Sequence, residues 1–139
     1  MTATAIARHL VPVGQRLSVT AELWGNWFPL RIEPTIFHFA RELAPAYTGG
    51  YWDMYTLSNG GFYMAPSGDG VYGVESPNGW SGPMTADALG IAACLFTYSN
   101  LAFSAPDLMA KVLSERYHWL RDWMLDGHPE ARQMMACCD

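Results

Sequence analysis

Glu115, His118 and Asp122 stand at i, i+3 and i+7, a spacing that puts one imidazole and two carboxylates on the same face of a helix. A carboxylate that orients an imidazole is an acid–base pair, and the three together offer ligands to a metal. The same spacing equally describes a solvated helix face with local ion pairs. His38 sits beside an apolar helix face and reads as a packed or surface histidine, and Gly68-Asp69-Gly70 reads as a strand connection. The sequence has no G-x-S-x-G elbow, no H-E-x-x-H, no phosphate-binding G-x-x-x-x-G-K and no G-x-G-x-x-G between a strand and a helix. Trp52, Tyr55, Tyr63 and Trp80 are the remaining candidates, either as core or as a platform for a base or a flat protein surface.

Three stretches of chain must position these groups. In the first, His9 to Val13 reads as a short edge strand and Leu17 to Trp24 as a short helix. A further helix places Pro34 in its first turn and Ile36, Phe37, Ala40, Leu43 and Ala44 on one apolar face, until Pro45 stops it. In the second, Tyr51 to Leu57 and Gly61 to Ala65 flank Asn59-Gly60, which predicts a hairpin with a two-residue type I′ turn. That register sets Leu57 opposite Phe62, Thr56 opposite Tyr63 and Tyr55 opposite Met64. A third strand is expected over Gly70 to Glu75, followed by a loop from Ser76 to Pro83 that carries Trp80. In the third stretch, Thr85 and Asp87 favour a helix start, and Ala88 to Phe103 is apolar nearly all round, as a buried spine would be. A second helix opens near Asp107 and stops at Gly127, and a short one runs from His128-Pro129-Glu130 to about Cys137. Strands grouped ahead of helices predict an α+β fold: one compact domain over 1–139, with about three antiparallel strands around a central hairpin and four to five helices.

Composition narrows the function. The 139 residues are 50% hydrophobic, 14% aromatic and 15% charged, which suits a folded domain. The longest apolar run, Ala88 to Phe96, is too short to cross a bilayer, and no secretory leader pattern opens the chain. Cys94 lies in an apolar stretch and Cys137 and Cys138 are neighbours, so a reduced, cytoplasmic compartment is expected, with no metal site and no cofactor. The net charge of −5 is uneven: residues 42–110 contain six acidic side chains and no lysine or arginine. Phosphate neutralisation drives nucleic-acid affinity, so strong DNA binding is not expected. Thirteen acidic residues diluted by eight basic ones cannot match the charge density of duplex DNA either.

The run from Tyr47 to Pro66, YTGGYWDMYTLSNGGFYMAP, resembles the signature of the ArdB/KlcA family of antirestriction proteins of mobile elements such as plasmids and prophages. The likeness continues through Asn78-Gly79-Trp80, Met84 to Ile91, Glu115-Arg116-Tyr117, Leu120-Arg121-Asp122 and His128-Pro129-Glu130, so that it spans roughly residues 20–139. It implies a compact α+β protein, not an enzyme, that relieves type I restriction of incoming unmodified DNA. The implied partner is the type I restriction-modification complex, engaged directly or indirectly and without DNA mimicry. The expected contact patch is built around the hairpin and the following loop, Trp52, Asn59, Tyr63, Asn78 and Trp80, with Asp126 and Asp139 of the acidic tail end as secondary candidates. The alternatives are a ligand- or nucleic-acid-binding module using the aromatic sheet, or a small hydrolase using Glu115, His118 and Asp122. Two largely apolar hairpin faces also leave room for a homodimer.

Overall fold

A computed structural model describes residues 5–139. Among the described residues are five α-helices and two small antiparallel sheets. Strand β1 (Arg8–Leu10) is followed by a 3-10 turn and α1 (Arg16–Trp24). A π-helical segment, Phe28–Ile32, then runs into α2 (Glu33–Leu43); Pro29, which has no N–H to give, lies at its start. Strands β2 (Trp52–Leu57) and β3 (Phe62–Pro66) complete the first sheet, in the order β1-β2-β3, and β4 (Val71–Glu75) pairs with β5 (Ser81–Thr85) in the second. Helices α3 (Ala86–Ala102), α4 (Asp107–Gly127) and α5 (Ala131–Cys138) close the chain. Among the described residues no helix is long and apolar enough to cross a membrane.

Helix α3 is the buried spine that the apolar run predicts: Ala88, Leu89, Ile91, Ala92, Ala93, Cys94 and Leu95 are all buried. Its N-terminus is capped as expected, by the Thr85 hydroxyl accepting from the Ala88 N–H. The helix runs along the free edge of β3. Tyr98 Oη donates to the Phe62 carbonyl at 2.6 Å and Cys94 Sγ to the Met64 carbonyl at 3.7 Å. These carbonyls point away from β2, so α3 satisfies groups that an open sheet edge would leave unpaired. The approach is so close that a Cβ on Gly90 would overlap the Cα and Cβ of Ala65.

Three sequence expectations change. First, the hairpin register is shifted by one residue: Tyr55 faces Tyr63 and Thr56 faces Phe62. The loop has three residues rather than two, because Gly60 alone takes a positive φ (98°) and Asn59 does not adopt the left-handed conformation a type I′ turn demands. Asn59 instead accepts from the Gly61 N–H and donates to the Trp119 carbonyl of α4, while the Trp119 ring lies against Gly60. A one-residue shift exchanges the faces, so Tyr63 joins Asp53 and Tyr55, not Trp52 and Met54. Second, the segment expected to be a loop before Pro83 contains strand β5 from Ser81; the Asn78 side chain accepts from the Trp80 N–H and turns the chain back onto β4. Third, the third strand of the hairpin sheet is β1, not β4.

Candidate functional site

The register brings Tyr63 under a cleft of about 750 Å³ between β1, β2, the start of α3 and the α4–α5 connection. Arg8 from β1, Asp87 from the first turn of α3, and His128 just beyond α4 meet above the Tyr63 hydroxyl. That hydroxyl donates to Asp87 Oδ1 at 2.7 Å and accepts from Arg8 Nη1 at 2.8 Å. Arg8 Nη1 also reaches Asp87 Oδ1 at 3.1 Å, and the other carboxylate oxygen of Asp87 lies 2.8 Å from His128 Nε2. His128 Nδ1 accepts from the Glu130 N–H at 3.0 Å, so the proton is on Nε2 and points at Asp87. Glu130 in turn accepts from both the Thr85 N–H and hydroxyl, fastening the α4–α5 connection to the start of α3.

Aromatic rings hold this chain of polar groups in place. Tyr63 stacks between Tyr55 and Trp123, with ring centroids 5.0 and 5.3 Å away. The guanidinium of Arg8 lies 4.4 Å from the Tyr55 centroid and 5.9 Å from that of Trp123. Burial opposes ionisation of Asp87, yet the hydrogen bonds from His128 and Tyr63 and the charge of Arg8 outweigh it and hold the carboxyl below its usual range. Burial and the charge of Asp87 push the Tyr63 phenol far up. Both nitrogens of His128 are engaged, and its side chain is 7% exposed. The arrangement therefore holds a fixed charge. It presents no free imidazole nitrogen or activated hydroxyl with which to move a proton.

The residues expected to form a contact patch are dispersed. Trp52 is buried, its Nε1 donating to Tyr47 Oη at 2.6 Å and its ring meeting the edge of Phe37. Tyr63 is fully buried beneath the cleft. Asn59 fastens the hairpin loop to α4. Asn78 donates to the Ala136 carbonyl at 2.7 Å and ties the β4–β5 turn to α5, and half-buried Trp80 lies over Gly82 of the same hairpin. Asp126 lines the cleft, and Asp139 is exposed at the end of α5. Glu115, His118 and Asp122 lie along α4, and among the described residues no cluster of His, Cys, Asp or Glu has metal-holding geometry.

Sequence reasoning passed over Arg8, Asp87, Trp123, His128 and Glu130 as site residues. Asp87, His128 and Glu130 lie inside the short blocks that carry the family likeness, the one signal that marked them. Their meeting joins distant chain segments: Arg8 and Asp87 are 79 positions apart and Asp87 and His128 41, and at the cleft rim the Ile6 N–H reaches Asp126 across 120.

The profile of the family described as "Antirestriction protein" matches residues 45–139. An antirestriction protein KlcA from Escherichia coli is 38% identical over 136 residues, covering 96% of this chain and 95% of the relative. A second KlcA from the same species is 44% identical over 112 residues, covering 79% and 76%. A solved structure from work on the KlcA and ArdB proteins superposes with a TM-score of 0.88 at 37% identity, covering all of both chains. Those proteins are described as having a novel fold and antirestriction activity against type I DNA restriction systems in vivo but not in vitro. The α+β arrangement of five helices and two small sheets is thus the fold of these relatives, and the chain belongs to the antirestriction protein family.

Proposed function

We propose that this protein relieves type I restriction of incoming unmodified DNA in the bacterial cytoplasm, by engaging a protein of the restriction apparatus and without posing as DNA. Family membership over nearly the whole chain is the observation that carries this reading. The activity of the solved relatives in vivo but not in vitro supports a target, or a state of the target, that the living cell supplies. A change in restriction then requires that the protein bind one functional state of the apparatus more tightly than another.

The charge distribution supports a protein partner over nucleic acid. Residues 42–110, which build both hairpins and the spine, contain no lysine or arginine to neutralise phosphates. Of the residues expected at a contact surface, Asn59, Asn78, Trp80, Asp126 and Asp139 have exposed atoms; all but Asn59, whose amide fastens the hairpin loop to α4, are proposed to face the partner, whereas buried Trp52 and Tyr63 support the framework beneath.

The test is the plating efficiency of unmodified phage on a host with an active type I system, with and without this protein. A rise toward the level seen on a restriction-deficient host is expected. No rise, with the protein folded and abundant in the cell, would overturn the reading. In the same assay Trp80→Ala is expected to stay folded and lose relief; retained relief removes that indole from the partner surface.

A further inference from the structure

The hairpin faces that the sequence leaves open to a second copy are covered in the fold. Phe62 and Met64 are buried on one side, and Tyr63 lies beneath Arg8 and Trp123 on the other. Bare apolar surface lies instead where α3 passes into α4. Phe103, the residue after α3, is 91% exposed, and Leu108 in the first turn of α4 is 84% exposed. Beside them the two helices leave a groove of about 290 Å³, lined by Tyr98, Ala102 and Phe103 on one side and by Ser114 and Tyr117 on the other. No charged side chain lines it. An apolar cavity of about half that volume accepts benzene, so the groove has room for the side chain of a phenylalanine.

A projecting ring and a groove that could receive it thus lie on one patch. Phe103 does not fill its own groove, since nearly all of it faces outward. A patch that carries both knob and hole is self-complementary, which is what a twofold axis between identical chains requires.

Charge argues independently for the same occupant. Asp107, Lys111 and Ser114 stand at i, i+4 and i+7 of α4, so a carboxylate and an ammonium share the helix face that forms the groove wall at Ser114. Asp107 and Lys111 are both exposed, and among the described residues neither makes an ion pair within the chain. Two α4 helices laid antiparallel about a twofold axis set Asp107 of each copy beside Lys111 of the other. A second copy therefore brings the opposite charges in the order that the patch needs.

We propose that the chain forms a twofold-symmetric dimer through the α3–α4 corner, with each Phe103 seated in the groove of the other copy and Asp107 paired with Lys111 across the axis. Association is read without reference to restriction, so this dimer stands or falls separately from the function proposed above.

The test is sedimentation of the full chain over a concentration series. Dimer is expected to accumulate as concentration rises, and less of it at high salt because the ion pairs are at the surface. Phe103→Ser removes a ring from both halves of the contact and should weaken association about a hundredfold or more. Its side chain is exposed, so an unchanged circular dichroism spectrum is expected. Leu17→Ser, at a position on α1 that is 87% exposed and outside the groove lining, should leave association unchanged. Lys111→Asp sets like charges against each other at both pairs and should weaken association about tenfold. Combining it with Asp107→Lys restores opposite charges at the parent net charge and should recover the dimer. A monomer at every concentration overturns the proposal, as does association unchanged by Phe103→Ser or weakened equally by Leu17→Ser. Failure of the double charge exchange to recover what Lys111→Asp loses overturns the pairing across the axis.

Discussion

Replacing Tyr63 by phenylalanine removes one oxygen and leaves the ring between Tyr55 and Trp123. The oxygen joins two charged groups, accepting from Arg8 at 2.8 Å and donating to Asp87 at 2.7 Å. A hydrogen bond to a charged partner contributes about 1.5–3 kcal/mol. Here the loss is partly offset, because Arg8 and Asp87 still meet directly at 3.1 Å and their side chains are 40% and 29% exposed, so water can replace the hydroxyl. A net loss of about 1–3 kcal/mol follows, which for a chain of this length lowers Tm by roughly 3–12 °C. Tyr63→Ala adds the cost of emptying a fully buried aromatic site, about 3–5 kcal/mol more. Against a total stability of about 5–15 kcal/mol, that variant is at the edge of folding, and its phenotype in the cell would report stability rather than a contact surface. Thermal and urea denaturation followed by circular dichroism give both numbers. A Tyr63→Phe variant that melts within about 1 °C of the parent would refute the reasoning, since the hydroxyl would then contribute nothing to the Arg8–Asp87 junction.

The depressed ionisation of Asp87 sets a pH dependence. Its stabilisation is fully present above the ordinary carboxyl value of 3.8 and is lost as pH falls through the lower folded value, so the Tm of the parent should drop more steeply below about pH 4 than that of Asp87→Asn. Parallel acid limbs in the two melting series would contradict it. Gly90→Ala drives a methyl group into Ala65 and should destabilise by about 3 kcal/mol or more, read by urea titration, whereas Gly127→Ala meets open space and should shift stability by less than about 1 kcal/mol. A mild Gly90→Ala would mean that α3 can move away from β3. Burial pushes the Cys94 thiol up to about 12, so it should escape alkylation at pH 8 in the native state and react only after unfolding, as peptide mass spectrometry would show. Native labelling at Cys94 would place α3 farther from the β3 edge than the 3.7 Å contact with the Met64 carbonyl allows.

Elements whose determinants are local could be read directly from sequence. The pattern predicts α1 from Leu17 and it begins at Arg16; of the apolar face marked in the next helix, Ile36, Ala40, Leu43 and Ala44 are buried and Phe37 is half-buried. The apolar spine and its Thr85 cap also follow from residue type and spacing, and α4 ends at Gly127 as expected, although Gly127 takes no positive φ and it is His128, extended before Pro129, that leaves the helix. Strand β5 escaped because Ser81-Gly82-Pro83-Met84-Thr85 has almost no strand propensity; pairing with β4 makes it a strand, with Pro83 opposite Gly73. The candidate site was less readable for a similar reason. Arg8 lies in a short, exposed edge strand, and Asp87 looks like an ordinary helix-start acid until Tyr63, Arg8 and His128 converge on it.

The hairpin loop separates what each level decides. The residue types alone place a turn at Asn59-Gly60 and strands on both sides, because glycine permits the positive φ that a tight reversal needs. They favour a two-residue loop and also allow a three-residue one with a single residue at positive φ. The choice falls to α4, which offers the Trp119 carbonyl to the Asn59 amide and sets its ring against Gly60. That contact spans 60 positions in sequence and shifts the register by one, which carries Tyr63 to the face where Arg8, Asp87 and Trp123 await it. Short-range propensity is thus sufficient for most of the elements, β5 excepted, whereas the cleft exists only because long-range packing selects one of the turns that the local chain allows.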